Sequence, residues 1–582
     1  MPEAQLLKLP MAGLASCGQH GRMHDMDALQ SQDLRGLTPQ ALEALAQRML
    51  VHVQQQAREI ARRDGEIVWR DAKIEKITFE LARLKRWKFG ARTEAMDAQQ
   101  RQLFLETLVE DEADLQAQLA ELQARQSPPP VTPEKAPQPP RRQALPEHLR
   151  RVEHHHEPAD THCPAVDCGE PMTRVGEDVS ERLDIVPAEF FVHRHIRGKW
   201  VCRCCQRQGV DRLVQEPAEP QIIERGIPAS GLVAYTLISR FADHVPYYRQ
   251  EAINARSGVH TPRSTLAAWA GQAGAALHPL YEALKRFVLG SAVVQADETT
   301  VDMLDPGAGK TRKAYVWAYA RGEFDPRPGV VYDFCPGRGS KYPLAFLGGL
   351  PSPPGSQADR PAESRDPPWS GTLVCDRYGG YDSVLDPKVF PQRVSAACAA
   401  HARRKFDELA KSGKSTLATQ AIVRFAAIYH AEKSFAGMDG PTRTQARQRI
   451  AAPLWQELHT WLKLERGRVA DGGATANAID YSLNHWPALT RHLLDGAVPV
   501  DNNHLERQIK PWAMGRKAWL FCGSELAGQR AAVVMSLVQS AKLNGLEPWA
   551  YLRDVLDRLP THLNSRIDDL LPHRWQPPQI PD

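Results

Sequence analysis

Ser291-Ala-Val-Val-Gln-Ala-Asp297-Glu298 is a short apolar run that ends in acid. Working outward from it, Lys313–Ala320 (KAYVWAYA) and Gly329–Phe334 (GVVYDF) are rich in β-branched and aromatic residues and read as two more strands. Tyr342–Leu347 suggests a helix, and Gly371-Thr-Leu-Val-Cys-Asp376 is a second apolar run ending in acid. The order is therefore strand with acid, two strands, helix, strand with acid.

That order is expected of a ribonuclease-H-like sheet, in which neighbouring strands bring two aspartates to one edge. Either aspartate alone reads equally well as a solvated strand end. Two in this order point to a site. A third acid, Glu506, lies in Val500-Asp501-Asn502-Asn503-His504-Leu505-Glu506-Arg507, where Asp501 reads as a helix cap and Glu506 falls in the first turns. Phosphodiester cleavage near neutral pH needs a strong nucleophile and relief of phosphate charge, which two Mg²⁺ ions about 4 Å apart supply. Mg²⁺ prefers carboxylate oxygen, so converging acids are the residue type such chemistry needs.

The gap between Asp376 and Glu506 exceeds what a plain sheet requires. Residues 403–495 read as an all-helical insertion, with Ile422, Phe425, Ile428, Trp455, Leu458, Trp461 and Leu462 as its apolar positions. A Pro-, Gly- and Ser-rich stretch at 351–371 reads as a surface loop. Upstream, Ala229–Ala276 looks helical. Within it, Gly258-Val-His-Thr-Pro-Arg-Ser-Thr-Leu-Ala-Ala-Trp269 fits a helix-turn-helix or any pair of helices joined by a turn.

Toward the N-terminus, Val53, Ile60, Ile67, Ile74 and Leu81 recur every seven residues and mark one helix face. The positions three residues on are Gln56, Arg63, Arg70, Ile77 and Leu84, so the seam is half-formed at first. Leu108, Leu115, Leu119 and Leu122 begin a second stripe. A coiled coil that self-associates and a helical hairpin packed on its own body both satisfy this pattern. Between the stripes, Lys85, Arg86, Lys88 and Arg92 interleave with Trp87 and Phe89, which suits either a phosphate backbone or a solvated helix end. Residues 127–145 hold seven prolines and read as a stiff linker.

Five of the ten cysteines fall between Cys163 and Cys205. Cys163 and Cys168, then Cys202 and Cys205, are two pairs with the separation of a four-thiolate zinc ribbon or knuckle. Cys204 or a histidine such as His162 is an alternative ligand. Ser180–Lys199 between the pairs alternates as short strands would. The bound Zn²⁺ would be structural.

Bulk properties restrict the classes. A chain of 582 residues needs several cores. A formal charge of +4 makes any nucleic-acid footprint local. No run of about 18 apolar residues suggests a membrane span. Scattered cysteines and the absence of a signal-like N-terminus are those expected of a cytoplasmic protein. The organisation is a multidomain α+β chain. It comprises a loose N-terminus (1–40), a coiled coil or hairpin (41–125), a linker (126–145) and a small zinc domain (146–215). A helical region with possible DNA contact (216–288), a catalytic core with its insertion (289–545) and a helical tail (546–582) complete it.

Further motifs carry a family resemblance. They are Phe89-Gly-Ala-Arg-Thr-Glu94, the cysteine cluster, Phe241-Ala-Asp-His-Val-Pro-Tyr-Tyr-Arg-Gln250, Ala296-Asp-Glu-Thr299, Asp376-Arg-Tyr-Gly-Gly-Tyr-Asp382 and His401-Ala-Arg-Arg-Lys-Phe406. Asp501-Asn-Asn-His-Leu-Glu-Arg507, Gly515-Arg-Lys-Ala-Trp-Leu-Phe521 and Ala541-Lys-Leu-Asn-Gly-Leu-Glu-Pro548 complete the series. In this order they resemble the transposases of the insertion sequence 66 family over most of the chain. The resemblance implies a DDE-type catalytic domain with the triad Asp297, Asp376 and Glu506. Asn502 and Asn503 are expected to support it, and His401 either orients DNA or a carboxylate or is a structural histidine. It implies Mg²⁺ (or Mn²⁺) as the catalytic ion, double-stranded DNA as substrate, a homo-oligomer of at least two chains, and accessory proteins of the same element. Arg403, Arg404, Lys405, Arg507, Lys510, Arg516 and Lys517 would meet phosphates. A catalytically silent zinc-containing DNA-binding regulator, or a nuclease on the same fold, would share these features without joining DNA ends. The first cysteine pair is wider than the family's usual spacing, Ala399 replaces a family tryptophan, and the 351–371 loop is unusual for the family.

Overall fold

The computed structural model describes residues 39–90, 98–124, 145, 147, 149–158, 160–162, 170–186, 189–202, 213–223, 226–305, 310–348, 368–411 and 415–577. The chain divides into two units, residues 1–70 with 360–363 and residues 71–359 with 364–582. The described part of the first unit is the beginning of helix α1 (Pro39–Gly90), on which Val53 and Ile67 are exposed.

All other elements belong to the second unit. The later turns of α1 place Ile77, Leu81 and Leu84 against Leu108, Leu115 and Leu122 of α2 (Ala98–Ala124), together with Leu304 and Phe521. This half of the heptad stripe is therefore used within the chain, as a hairpin docked on its own body.

Strands β1 (Arg150–His156), β2 (Thr173–Val186), β3 (Glu189–Val201) and β4 (Leu213–Gln215) form one small sheet. β2 and β3 make a long antiparallel hairpin, Val186 facing Glu189 and Thr173 facing Val201, rather than several short strands. β1 runs parallel to β3.

Three helices follow, α3 (Ser230–Phe241), α4 (Tyr247–Arg256) and α5 (Arg263–Leu289). Helices α4 and α5 are joined by the expected turn. α5 is exposed at Ser264, His278 and Arg286 and half-buried at Arg263, Thr265, Ala268 and Gln272, and most of its other residues pack into the body. It lies so close to α2 that a Cβ on Gly271 would sit 2.2 Å from the Glu110 carbonyl oxygen.

The central sheet contains β5 (Val293–Asp305), β6 (Lys310–Arg321), β7 (Val330–Cys335), then, after helix α6 (Lys341–Phe346), β8 (Gly371–Cys375) and β9 (Arg393–Ala397). Its spatial order is β7-β6-β5-β8-β9. The first three pair antiparallel, whereas β5–β8 and β8–β9 are parallel. β5 continues well past Asp297, paired with β6 as far as Asp305, so Asp297 is mid-strand and not at a strand end as the sequence suggested. It lies just past the last described pairing of β5 with β8, Gln295 opposite Val374.

A helical insertion follows β9, comprising α7 (Ala399–Lys411), α8 (Thr416–Lys433), α9 (Gly440–Ala446), α10 (Ala452–Arg466), α11 (Ala474–Asn484) and α12 (Trp486–Leu489). It has its own core of Phe406, Phe425, Ile428, Trp455, Leu458 and Leu462, with Ile422 and Trp461 at the margin. The chain then returns to the sheet through α13 (Asn503–Trp519), α14 (Glu525–Leu543) and α15 (Pro548–Arg558). α14 closes the edge of β7. Ser536 Oγ accepts from Tyr332 N at 2.9 Å, and Ser540 Oγ accepts from Val330 N at 3.0 Å. Four residues of helix rise about 6 Å and two of strand slightly more, so the two hydroxyls match successive outward N–H groups.

Candidate active site

Gln295 of β5 faces Val374 of β8 in parallel register, so two residues further on Asp297 and Asp376 emerge at the same edge. Asp376 is the first residue beyond β8. The chain turns sharply there, with Arg377 at φ 62°. Tyr378 N donates to Asp376 Oδ1 at 2.8 Å, and the Tyr481 hydroxyl of α11 donates to the Asp376 carbonyl oxygen at 2.7 Å. The insertion thus holds the turn that carries the second aspartate.

Glu506 reaches the same place through a buried amide. Asn502, which precedes α13, is fully buried. Its Nδ2 donates to Ala296 O at 2.9 Å, its Oδ1 accepts from Gln295 Nε2 at 3.0 Å, and its backbone N–H meets Cys398 Sγ at 3.1 Å. These contacts tie the start of α13 to β5 beside Asp297. The cap position belongs to Asn502, not Asp501 as the sequence suggested. Asp501 instead accepts from Asn503 N at 2.9 Å and Asn503 Nδ2 at 2.7 Å, which stiffens the turn before the helix.

The carboxyls influence one another electrostatically. Burial first, and then the charges of Glu298, Asp376 and Glu506, together push the Asp297 carboxyl up to about 8. Glu298 is also raised, by burial first, although Arg338 opposes the shift. Its carboxylate is paired with Arg338 at 2.5 Å and accepts from the Tyr381 hydroxyl at 3.2 Å. Arg338 in turn lies over the Tyr378 ring at 3.6 Å. Glu298 stands in the sequence as the acid next to Asp297, with no partner nearby to give it a role. An acid inside an apolar strand run was the available signal, but its distant partner Arg338 was not legible.

His401 and Arg404 of α7 flank Glu506. His401 Nδ1 is 3.7 Å from one carboxylate oxygen and Arg404 Nη2 is 3.4 Å from the other. Burial and the Arg404 charge lower the His401 pKa, favouring its neutral form. Cys398, His401 and Glu506 each bring a ligand atom within 4.8 Å of the other two.

The basic residues separate by position. Arg507, Lys510 and Lys517 are exposed along α13, on the face opposite the buried Leu505, Ile509 and Trp512. Arg507 has a distant acidic neighbour, Glu323 at 3.8 Å. Arg516 is exposed but donates to Thr300 O at 3.1 Å. Lys405 sits over the Tyr481 ring at 4.5 Å, and Arg403 is half-buried. The side chains of Lys85, Arg86 and Lys88, and Arg92 altogether, lie outside the described residues. So do Cys163, Cys168, Cys204 and Cys205. Cys202, at the end of β3, is fully buried beside Met172.

Comparison with known proteins assigns most of the chain. Residues 225–530 match the profile described as Transposase IS66 family, and residues 536–573 match the IS66 C-terminal element. Residues 160–206 match the zinc-finger binding domain of transposase IS66. Residues 76–153 match a profile described as Transposase C of IS166 homeodomain. Among curated relatives, Uncharacterized protein y4qI of Sinorhizobium fredii is 36% identical over 72% of this chain and 75% of its own length. Uncharacterized protein y4jD of the same organism is 35% identical over 71% of this chain and 78% of its own. No helix among the described residues is long and apolar enough to cross a membrane.

Proposed function

The chain belongs to the IS66 family of transposases, and from that premise we propose that it cuts DNA at the ends of its element and joins them to target DNA at Asp297, Asp376 and Glu506. The observation that carries this reading is the parallel register that brings Asp297 and Asp376 to one edge, with Asn502 tying the helix of Glu506 to the same strand; burial among Glu298, Asp376 and Glu506 raises the Asp297 carboxyl there. Such a crowd of acids is costly unless a cation compensates it. The sheet order β7-β6-β5-β8-β9 supports a ribonuclease-H-like core.

The donor set is oxygen-rich and suits Mg²⁺ or Mn²⁺, with Asp297, Asp376 and Glu506 as the holding residues. Such ions, when bound, supply an activated water and relieve charge on the phosphate. The chain's own contribution is placement. Asn502 fixes where Glu506 starts, and Tyr378 N and Tyr481 fix Asp376. Arg338 holds Glu298 in an ion pair beside the triad. Neutral His401 and the Arg404 guanidinium flank the entrance on the Glu506 side. Arg507, Lys510 and Lys517 form a basic track leading from the site along α13, and Arg403, Lys405 and Arg516 add positive charge nearby. Both cleavage and joining are in-line phosphoryl transfers, so one positioned site serves both.

The match of residues 160–206 to a zinc-finger profile supports one structural Zn²⁺ on Cys163, Cys168, Cys202 and Cys205, and the burial of Cys202 fits a closed site. The substrate is double-stranded DNA, in the cytoplasm, and pairing two element ends calls for at least a dimer. Accessory proteins of the element complete the reading. The test is incubation of the purified chain with duplexes bearing element ends and Mg²⁺. Joined products carry the proposal. Cutting without joining indicates a nuclease, and metal-independent binding without cutting indicates a regulator.

A further inference from the structure

Far from the carboxylates in sequence, the small sheet gathers four histidines on one face. His154 pairs directly across β1 and β3 with His195, and Val152 pairs with His193. Residues two apart on a strand share a face, so His154, His156, His193 and His195 all point the same way. Their rings pack at centroid separations of 5.0 Å for His154–His195 and 5.3 Å for His156–His195.

The four are not equivalent. His193 Nε2 meets Asp184 Oδ2 at 2.9 Å, and His154 Nε2 meets His193 Nδ1 at 2.8 Å. This chain ends on a carboxylate, which orients both rings and satisfies each facing nitrogen. The second pair, His156 Nε2 and His195 Nδ1 at 3.0 Å, has no such terminus. Instead Glu219, from the segment after β4, brings a carboxylate oxygen to 3.8 Å from His156 Nδ1. His156, His195 and Glu219 each offer a ligand atom within 4.8 Å of the other two.

From this juxtaposition the geometry points to a second metal site, separate from the cysteines, in which His156, His195 and Glu219 bind a late first-row divalent cation such as Zn²⁺. Two imidazole nitrogens bound to one tetrahedral zinc at about 2.0–2.1 Å lie roughly 3.3 Å apart. The 3.0 Å pair needs to open by only a few tenths of an ångström, and Glu219, which lies 3.8 Å from the other nitrogen of His156, must swing its exposed carboxylate round to the Nε2 side. The ligating form of histidine is neutral, and the buried position of His195 suits that form. Arg182 faces the same surface and opposes a cation, but the charges of Glu219 and Asp557 act against it. His195 is buried while the Glu219 side chain is 59% exposed, which leaves a route for the ion. Bound there, the metal staples β1 and β3 to the segment leading into the helical body.

Co²⁺ titration of the full chain tests this. Cobalt on nitrogen and oxygen ligands shows weak visible bands without the thiolate charge-transfer band that a cysteine site gives. Because the catalytic carboxylates also take Co²⁺, the titration uses the full-length Asp297→Asn/Asp376→Asn chain, in which one such nitrogen–oxygen site is expected. His156→Ala and Glu219→Gln should each weaken it at least tenfold, His155→Ala should leave it unchanged, and none should alter the thiolate band. Glu219 is exposed enough that its substitution does not threaten folding. Unchanged cobalt binding in both His156→Ala and Glu219→Gln, or equal loss in His155→Ala, would overturn the assignment.

Discussion

The side-chain amide of Asn502 donates to the carbonyl oxygen of Ala296 at 2.9 Å, one residue before Asp297 on the strand and four before Glu506 on the helix. A single buried amide therefore sets the distance between the first and third carboxylates. Replacing Asn502 by Ala removes both of its side-chain hydrogen bonds and leaves the Gln295 amide without its closest acceptor. The loss of stability should be about 1–3 kcal/mol. Misplacing Glu506 by an ångström should cost on the order of 100-fold in strand transfer. Asn502→Ala that joins DNA at the wild-type rate would show that the amide serves packing alone.

The Asp297 carboxyl is raised on folding from 3.8 to about 8 in the absence of metal. An acid shifted upward binds more protons folded than unfolded between those values, so stability falls as pH rises across the window. Asp297→Asn removes this cost. Metal-free Asp297→Asn should melt above wild type at pH 8, and the difference should vanish near pH 4. Mg²⁺ at pH 8 should stabilise wild type more than the variant. Parallel melting curves for the two proteins across this pH range would rule out the shared field.

Arg530 of α14 is buried with three carboxylates of α2, at 2.7 Å from Glu110 and 3.0 Å from both Asp111 and Asp114. Burial raises Asp111 to about 6 despite the arginine. Arg530→Ala would leave the acids without their counter-charge, a loss on the order of 3–5 kcal/mol. Chemical denaturation should show it, and limited proteolysis should cut α2 first. Replacing all four groups by apolar residues should restore much of the stability. Denaturation of Arg530→Ala at the wild-type midpoint would mean that the hairpin docks by its leucines alone.

Lys510 and Lys517 lie exposed on α13, on the track leading from Glu506. If they contact phosphates, Lys510→Ala with Lys517→Ala should lower the slope of log affinity against log salt by about 2. An unchanged slope would place the DNA elsewhere.

Much of this was legible in the sequence, for physical reasons. Apolar runs ending at Asp297 and Asp376 declared their strands because buried strands have little other choice of residue. The insertion was legible from the helical spacing of Phe425, Ile428, Trp455, Leu458 and Leu462. What stayed hidden depends on contacts between distant residues. The docking of α2 is set by Arg530, more than 400 positions away from its acids. The role of Glu298 needs Arg338, and the histidine face needs the parallel pairing of β1 with β3, which no local pattern specifies. The turn at Gly258 fits a helix-turn-helix or any helix pair, because its local sequence does not say which faces the body covers.

The central claim is that Asp297, Asp376 and Glu506 perform the DNA chemistry. Its most direct test is movement of a marked element in bacterial cells supplied with the accessory reading frames, comparing wild type with Asp376→Asn at equal protein level. The account expects the wild type to move the marker and the variant to lose movement. Equal movement by both would contradict the assignment of the site.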